Sequence, residues 1–178
     1  MAEACLHEAG DRWIHVQAVG QSAEELRARG YDVSEAVVMA AWLHDVGYAD
    51  RSPILGFTRS TVLNGSVCKA APGEVVALVA YHSAAQFEAE ERGLAEELAR
   101  FPAPDQDQLD VLTLIDMSTS PTGEQVPVNE RLAEILARYP EEHPVHRAVS
   151  RSRGYLAESA NRAAKRLGLA DVRTGSVL

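Results

Sequence analysis

Apolar positions recur along this chain at helical rather than strand spacing. Trp13, Val16, Val19, Ala23 and Leu26 fall on one stripe and predict a first helix over Asp11 to Arg29, weakened at Gly20 and stopped by Gly30. Ser34 is a good N-cap for a second helix reaching Val46. Its centre, Ala36 to Leu43, is almost continuously apolar, which predicts a buried central helix with Gly47 just past its end. Residues 48–59, punctuated by Pro53 and Gly56, read as a loop. A short helix is expected over Ser60 to Ala71, a very apolar one over Gly73 to Ala85 and a more exposed one over Glu88 to Arg100. Gln108 to Met117 predicts another buried helix, followed by a turn-rich loop over 118–128. Asn129 can cap a helix through Tyr139, and a last helix runs from near Pro144 to near Gly168, interrupted at Gly154. No series of alternating apolar and polar segments stands out, so the expected fold class is all-α.

Composition agrees with closely packed helices, since aromatics are only 6% and alanine, leucine, glutamate and arginine dominate. A length of 178 residues suggests one domain, with residues 129–178 as accessory C-terminal helices. Hydrophobic residues at 46% and charged residues at 24% exclude a wholly disordered chain. The formal net charge of −9 argues against broad nucleic-acid binding but leaves room for a local basic pocket for a small phosphate. The acidity is uneven: the last helix carries Arg147, Arg151, Arg153, Arg162, Lys165 and Arg166, which keeps nucleic acid as a minor alternative there. Its small apolar face, Leu156, Ala160, Ala163 and Leu167, covers the core or pairs subunits into a homo-oligomer. Cys5 and Cys68 make neither a disulfide framework nor a zinc cluster. The acidic N-terminus lacks the pattern of a secretory signal, and no apolar run approaches the ~18 residues of a membrane span. A soluble, cytoplasmic protein without a membrane partner is expected.

The chemistry-bearing residues interrupt apolar segments. His44 and Asp45, in AAWLHDVG, end an apolar helix just before a glycine turn. A buried carboxylate there must be paired, and a metal ion is one way to do it. His15 interrupts the first helix, His82 ends LVAYH, and Asp116 ends LTLID. Each gap between these residues leaves room for one helix and a connection, and ligands on facing helices can build a metal centre inside a bundle. Singly, each has an ordinary reading: a helix-end pair, a satisfied interior histidine, a partly exposed helix-end histidine, a turn aspartate. His143 and His146 share a helix-face spacing, but Pro144 lies between them, and a helix start is the better reading.

The order His15, His44-Asp45, Asp116 resembles the H…HD…D signature of the HD-domain superfamily, and RWIHV, AAWLHDVGYA and LIDMSTSPTG are similar to its flanking segments. The likeness covers residues 10–123. It implies an all-helical, HD-domain-like bundle around one divalent metal held by His15, His44, Asp45 and Asp116. It further implies a phosphohydrolase acting on a nucleotide or other small phosphate ester. Mixed nitrogen and oxygen ligation admits Mn, Fe, Co, Ni or Zn. Members with two metals carry two more histidines; His82 matches the later one, but Thr58 stands where the earlier is expected, and Tyr81 where close relatives carry histidine. One metal is therefore expected, with His82 as an acid/base or substrate contact. Tyr48 replaces an acid that assists catalysis in the nucleotidase branch, leaving Asp50 as the nearby candidate for that task and Asp45 as a water-orienting group. Arg51 and Arg59 could bind a substrate phosphate, or be solvated loop charges. Ser118 and Thr119 could donate hydrogen bonds to substrate, or simply shape their turn. Two other readings stay open: an HD-type di-iron oxygenase of a small organic substrate, and a degenerate HD-fold binding protein.

Overall fold

A computed structural model of the chain describes residues 10–46 and 71–169. Among them every regular element is helical: α1 (Asp11–Ala28), α2 (Glu35–Leu43), α3 (Gly73–Tyr81), α4 (Ala85–Glu91), α5 (Ala95–Leu98), α6 (Gln106–Met117), α7 (Val128–Arg138) and α8 (Pro144–Leu167). A single turn of 3-10 helix, His82–Ala84, joins α3 to α4. The lone bridge between Thr119 and Gln125 builds no sheet. No described helix is long and apolar enough to cross a membrane. The loop expected over 48–59 and nearly all of the helix expected over 60–71 lie outside the described residues.

Local chemistry sets the helix ends. The Ser34 hydroxyl accepts from the Val37 amide at 3.2 Å to start α2, and Asp105 accepts from Gln108 at 3.0 Å to start α6. The Gly168 residue closing α8 has φ +69°, the left-handed conformation that glycine adopts without steric penalty. Several boundaries differ from the sequence pattern: Asn129, expected to cap α7, lies inside it, with Pro127 at the N-cap, and α6 starts at Gln106 rather than Gln108. Helix α2 ends at Leu43, so His44 and Asp45 occupy the turn beyond it. Helix α3 ends at Tyr81 rather than Ala85, because Ser83 and Ala84 take left-handed φ values of 51° and 57°. The expected helix over 88–100 is split at Gly93, where the Leu94 amide reaches back to the Ala89 carbonyl at 2.7 Å. By contrast α8 runs unbroken through Gly154. That glycine is exposed and costs about 1 kcal/mol against alanine, little beside the apolar burial of Leu156, Ala160 and Leu167 in the same helix.

Helix α6 is the hub. Residues Leu109 through Met117 are all buried, and the helix packs against α8, α2, α1, α3 and α7. The C-terminal helices, expected to be accessory, supply Leu132, Ile135, Leu156, Ala160, Ala163 and Leu167 to the same core. Asp110 pins α8 to α6: it accepts from Ser159 at 2.6 Å, from Arg162 at 2.7 and 2.8 Å, and from Gln106 at 2.8 Å. Burial opposes its charge, but these hydrogen bonds outweigh it and hold its carboxyl below the usual range. Arg147 and Arg151 pair with Glu91 and Glu90, and Arg166 with Asp107. Much of the basic charge of α8 is thus consumed within the fold, which weakens the nucleic-acid alternative.

The α1–α2 contact depends on Gly20. A Cβ there would sit 2.4 Å from two ring carbons of Trp42, closer than packed atoms approach. The Trp42 indole also donates to Glu24 at 2.9 Å and packs 6.4 Å from the Trp13 ring. This close approach sets His15 beside His44. Gly20→Ala is expected to destabilise the protein by about 1–3 kcal/mol in chemical denaturation, as overpacking does. Adding Trp42→Ala should recover part of that loss, so that the double variant is more stable than additivity of the two changes gives.

Candidate metal centre

Three imidazoles enter one buried space from three segments. His15 lies within α1, His44 caps the end of α2, and His82 opens the 3-10 turn after α3. Each anchors its Nδ1 on a backbone carbonyl: His15 on Ser120 at 3.1 Å, His44 on Ala41 at 2.8 Å and His82 on Val79 at 2.7 Å. A carbonyl oxygen only accepts, so each Nδ1 carries the proton. Each Nε2 is then a bare lone pair in a neutral ring, or a second donor in an imidazolium. The Nε2 atoms face carboxylates. His15 Nε2 is 2.9 Å from Asp116 Oδ1, and His44 Nε2 is 3.8 Å from the same oxygen. His44 Nε2 is also 3.9 Å from Asp45 Oδ2, and His82 Nε2 is 3.8 Å from Asp45 Oδ1. The rings pack edge to face, with centroids 5.4 Å apart from His15 to His44 and 5.2 Å from His44 to His82.

Charge decides what such a cluster can hold. Burial lowers the pKa of His44, against the pull of Asp45 and Asp116, so its ring is neutral at pH 7. Its Nε2 is therefore a bare lone pair, sealed from solvent and without a hydrogen-bond partner among the described residues. A lone pair that faces carboxylate oxygens is an acceptor among acceptors, and a cation reconciles them. Metal-binding histidines commonly anchor the second ring nitrogen on a carbonyl in this way. The donor atoms of His15, His44 and Asp116 lie within 4.8 Å of one another, so these residues fit a divalent ion. Asp45 stands just outside that mutual grouping, its Oδ2 held by Arg12 Nη1 at 2.5 Å.

The carboxylates are kept ionised. Burial alone would raise the pKa of Asp45, but Arg12 first, then His44 and His82, draw it well below the ordinary range. For Asp116, burial is likewise outweighed, chiefly by the His15 contact, and its pKa is strongly depressed. His82 moves the other way: burial opposes its charge, but Asp45 and then Asp116 raise its pKa. Ser83 donates to Asp116 Oδ2, which holds the second oxygen of that carboxylate. The left-handed Ser83–Ala84 turn, costing roughly 1–2 kcal/mol per residue, is the geometry that presents His82 and Ser83 together.

The structure thus brings His15, His44, Asp45, His82 and Asp116 into one place. Thr119 is fully buried and its hydroxyl donates to the Ile115 carbonyl at 2.8 Å, which completes the end of α6, as in its turn-shaping reading. The Ser118 hydroxyl is also buried, makes no hydrogen bond and does not line the cavity beside the centre. Asp50, Arg51 and Arg59, with Tyr48 and Thr58, lie outside the described residues. The Tyr81 hydroxyl donates to Leu98, away from the centre. His143 accepts from the Val145 amide and His146 bonds to the Leu136 and Tyr139 carbonyls, so both serve the α7–α8 junction.

Sequence reasoning missed Arg12, Ser83 and Arg131. Arg12 sits one helical turn before His15, and Ser83 adjoins His82, spacings that could have suggested them. A cavity of about 430 Å³ opens beside the centre, walled by Arg12, His15, Asp45, Arg131, Glu134 and Arg138. A smaller recess extends it past His82, Ser83 and Asp116 toward Met117, Ile135 and Leu156. No protein-family model, curated protein or solved structure matches the chain.

The carbonyl anchors predict a definite tautomer. In chelator-treated protein at pH 7, nitrogen NMR should show His44 neutral with its proton on Nδ1. A proton on Nε2 would contradict the lone pair on which the site depends.

Proposed function

We propose that this chain is an HD-domain-like, metal-dependent phosphohydrolase acting on a small phosphate ester. The observation that carries this reading is the buried, unpartnered His44 Nε2 facing two ionised carboxylates. His15, His44 and Asp116, with Asp45 at their edge, would hold one divalent ion. Among the described residues they contain the one such grouping of three ligands. When bound, the ion supplies a Lewis acid for a phosphoryl oxygen and lowers the pKa of a water molecule.

The chain's own groups supply the rest. Asp45 Oδ2 is fixed by Arg12, which leaves Oδ1, on the His82 side, to orient a water and take its proton. His82 anchors Nδ1 on Val79, and the carboxylate neighbours favour a proton on Nε2, the arrangement of a general acid for a leaving oxygen. Ser83 steadies Asp116 and keeps its second oxygen from turning toward substrate. The adjoining cavity, about 430 Å³, suits a metabolite-sized ligand.

The test is turnover. Full-length protein stripped with chelator and reloaded in turn with Mn, Fe, Co, Ni and Zn should hydrolyse at least one member of a panel of phosphomonoesters, nucleoside monophosphates included. His44→Ala and Asp116→Ala should lower the activity by at least about 100-fold through metal loss. His82→Gln should retain the metal and lower kcat by roughly 10²–10⁴-fold. A metal-loaded wild-type protein inert across the panel would overturn the assignment.

A further inference from the structure

Helix α7 buries Val128, Leu132 and Ile135 and, on the same side, an arginine. Arg131 is only 8% exposed, and it is the one buried arginine or lysine among the described residues. A buried guanidinium normally has each N–H satisfied by a carboxylate or carbonyl. Here the Nε makes no hydrogen bond among the described residues. Nη1 donates to Glu134 Oε2, but the other oxygen of Glu134 accepts from Arg138 Nε, at 2.8 Å, and from Arg138 Nη2. One carboxylate therefore serves two guanidinium groups. Among the described residues the other acids of the wall are engaged or apart: Asp45 is bonded to Arg12, Glu88 to Arg92, and exposed Asp11 forms no ion pair with either arginine. The α7 side of the cavity thus carries one positive charge more than its partners neutralise.

That charge stands in the same space as the metal centre. The recess that touches His82, Ser83 and Asp116 also touches Arg131, with Met117, Ile135 and Leu156 on its wall beside Glu88, which is paired with Arg92. A ligand with one anionic group at the centre and a short carbon spacer would reach α7. We infer that Arg131, helped by Arg138, binds a second anionic group of the substrate, so that the substrate class is a small phosphomonoester carrying a further carboxylate or phosphate. This rests on the phosphohydrolase reading above. The planar fork of arginine matches either oxyanion with paired hydrogen bonds. Glu134 holds the fork in place and competes with the ligand for it.

Calorimetric binding to the metal-loaded full chain tests the assignment without turnover. The probes are propylphosphonate, with one anionic group, and phosphonopropionate and trimethylenediphosphonate, each with a second. At least one two-anion probe should bind about tenfold or more tighter than propylphosphonate, and which one does so names the group as carboxylate or phosphate. Arg131→Gln and Arg131→Lys should both abolish that advantage and leave propylphosphonate affinity unchanged, which also shows that the variants are folded. Glu134→Gln should tighten the two-anion probe several-fold, a gain that misfolding cannot produce. Equal affinity of all three probes in the wild type, or an advantage that survives in Arg131→Gln, would overturn the inference and leave the hydrolase reading standing. Failure of every phosphonate to bind the metal-loaded protein would overturn both.

Discussion

A bare imidazole nitrogen buried against carboxylate oxygens is the constraint around which this fold is arranged. The His44 Nε2 has no proton to offer and no solvent to turn to. Its neighbours at 3.8 and 3.9 Å are acceptors too. Burying such a set unpaired works against folding by several kcal/mol. Everything nearby nonetheless locks the arrangement in place. Carbonyls fix all three rings, Arg12 holds Asp45, and Ser83 holds Asp116. Such fixing makes sense if a cation completes the charge balance, because a metal tolerates little error in ligand position.

The same helix shows two ways to bury a carboxylate. Asp110 and Asp116 both lie on α6 and both are nearly inaccessible. Asp110 is satisfied within the fold by a guanidinium, a hydroxyl and an amide, and its task is to hold α8. Asp116 instead faces imidazoles and the Ser83 hydroxyl. The close α1–α2 contact at Gly20 and the strained turn after His82 then bring the imidazoles to it from different directions. Packing energy from the alanine- and leucine-rich core supports that local strain.

Much of this was legible in the sequence. Polar ligand types interrupting apolar helices marked His15, His44, His82 and Asp116, since a buried polar group needs a reason to be there. The cap at Ser34 and the stop at Gly168 follow from local hydrogen bonding and backbone sterics, which sequence carries well. The turn at Ser83–Ala84 was not legible, because left-handed backbone at non-glycine residues is imposed by tertiary contacts, here the Ser83 bond to Asp116 across 33 positions. Arg131 was hidden for a related reason. In a strongly amphipathic helix an arginine reads as part of the solvated face, and only the structure shows it turned inward. Gly154 misled in the opposite sense, because propensity at one exposed position yields to the packing of the whole helix.

The central claim is that the His15, His44 and Asp116 cluster is built for one cation. The most direct measurement is the metal content of untagged protein, prepared without chelator and without oxygen, by elemental mass spectrometry. The account predicts close to one divalent ion per chain in the wild type and essentially none in Asp116→Asn of matched fold. Wild-type protein that holds no ion, even after reloading with Mn, Fe, Co, Ni and Zn in turn, would contradict it.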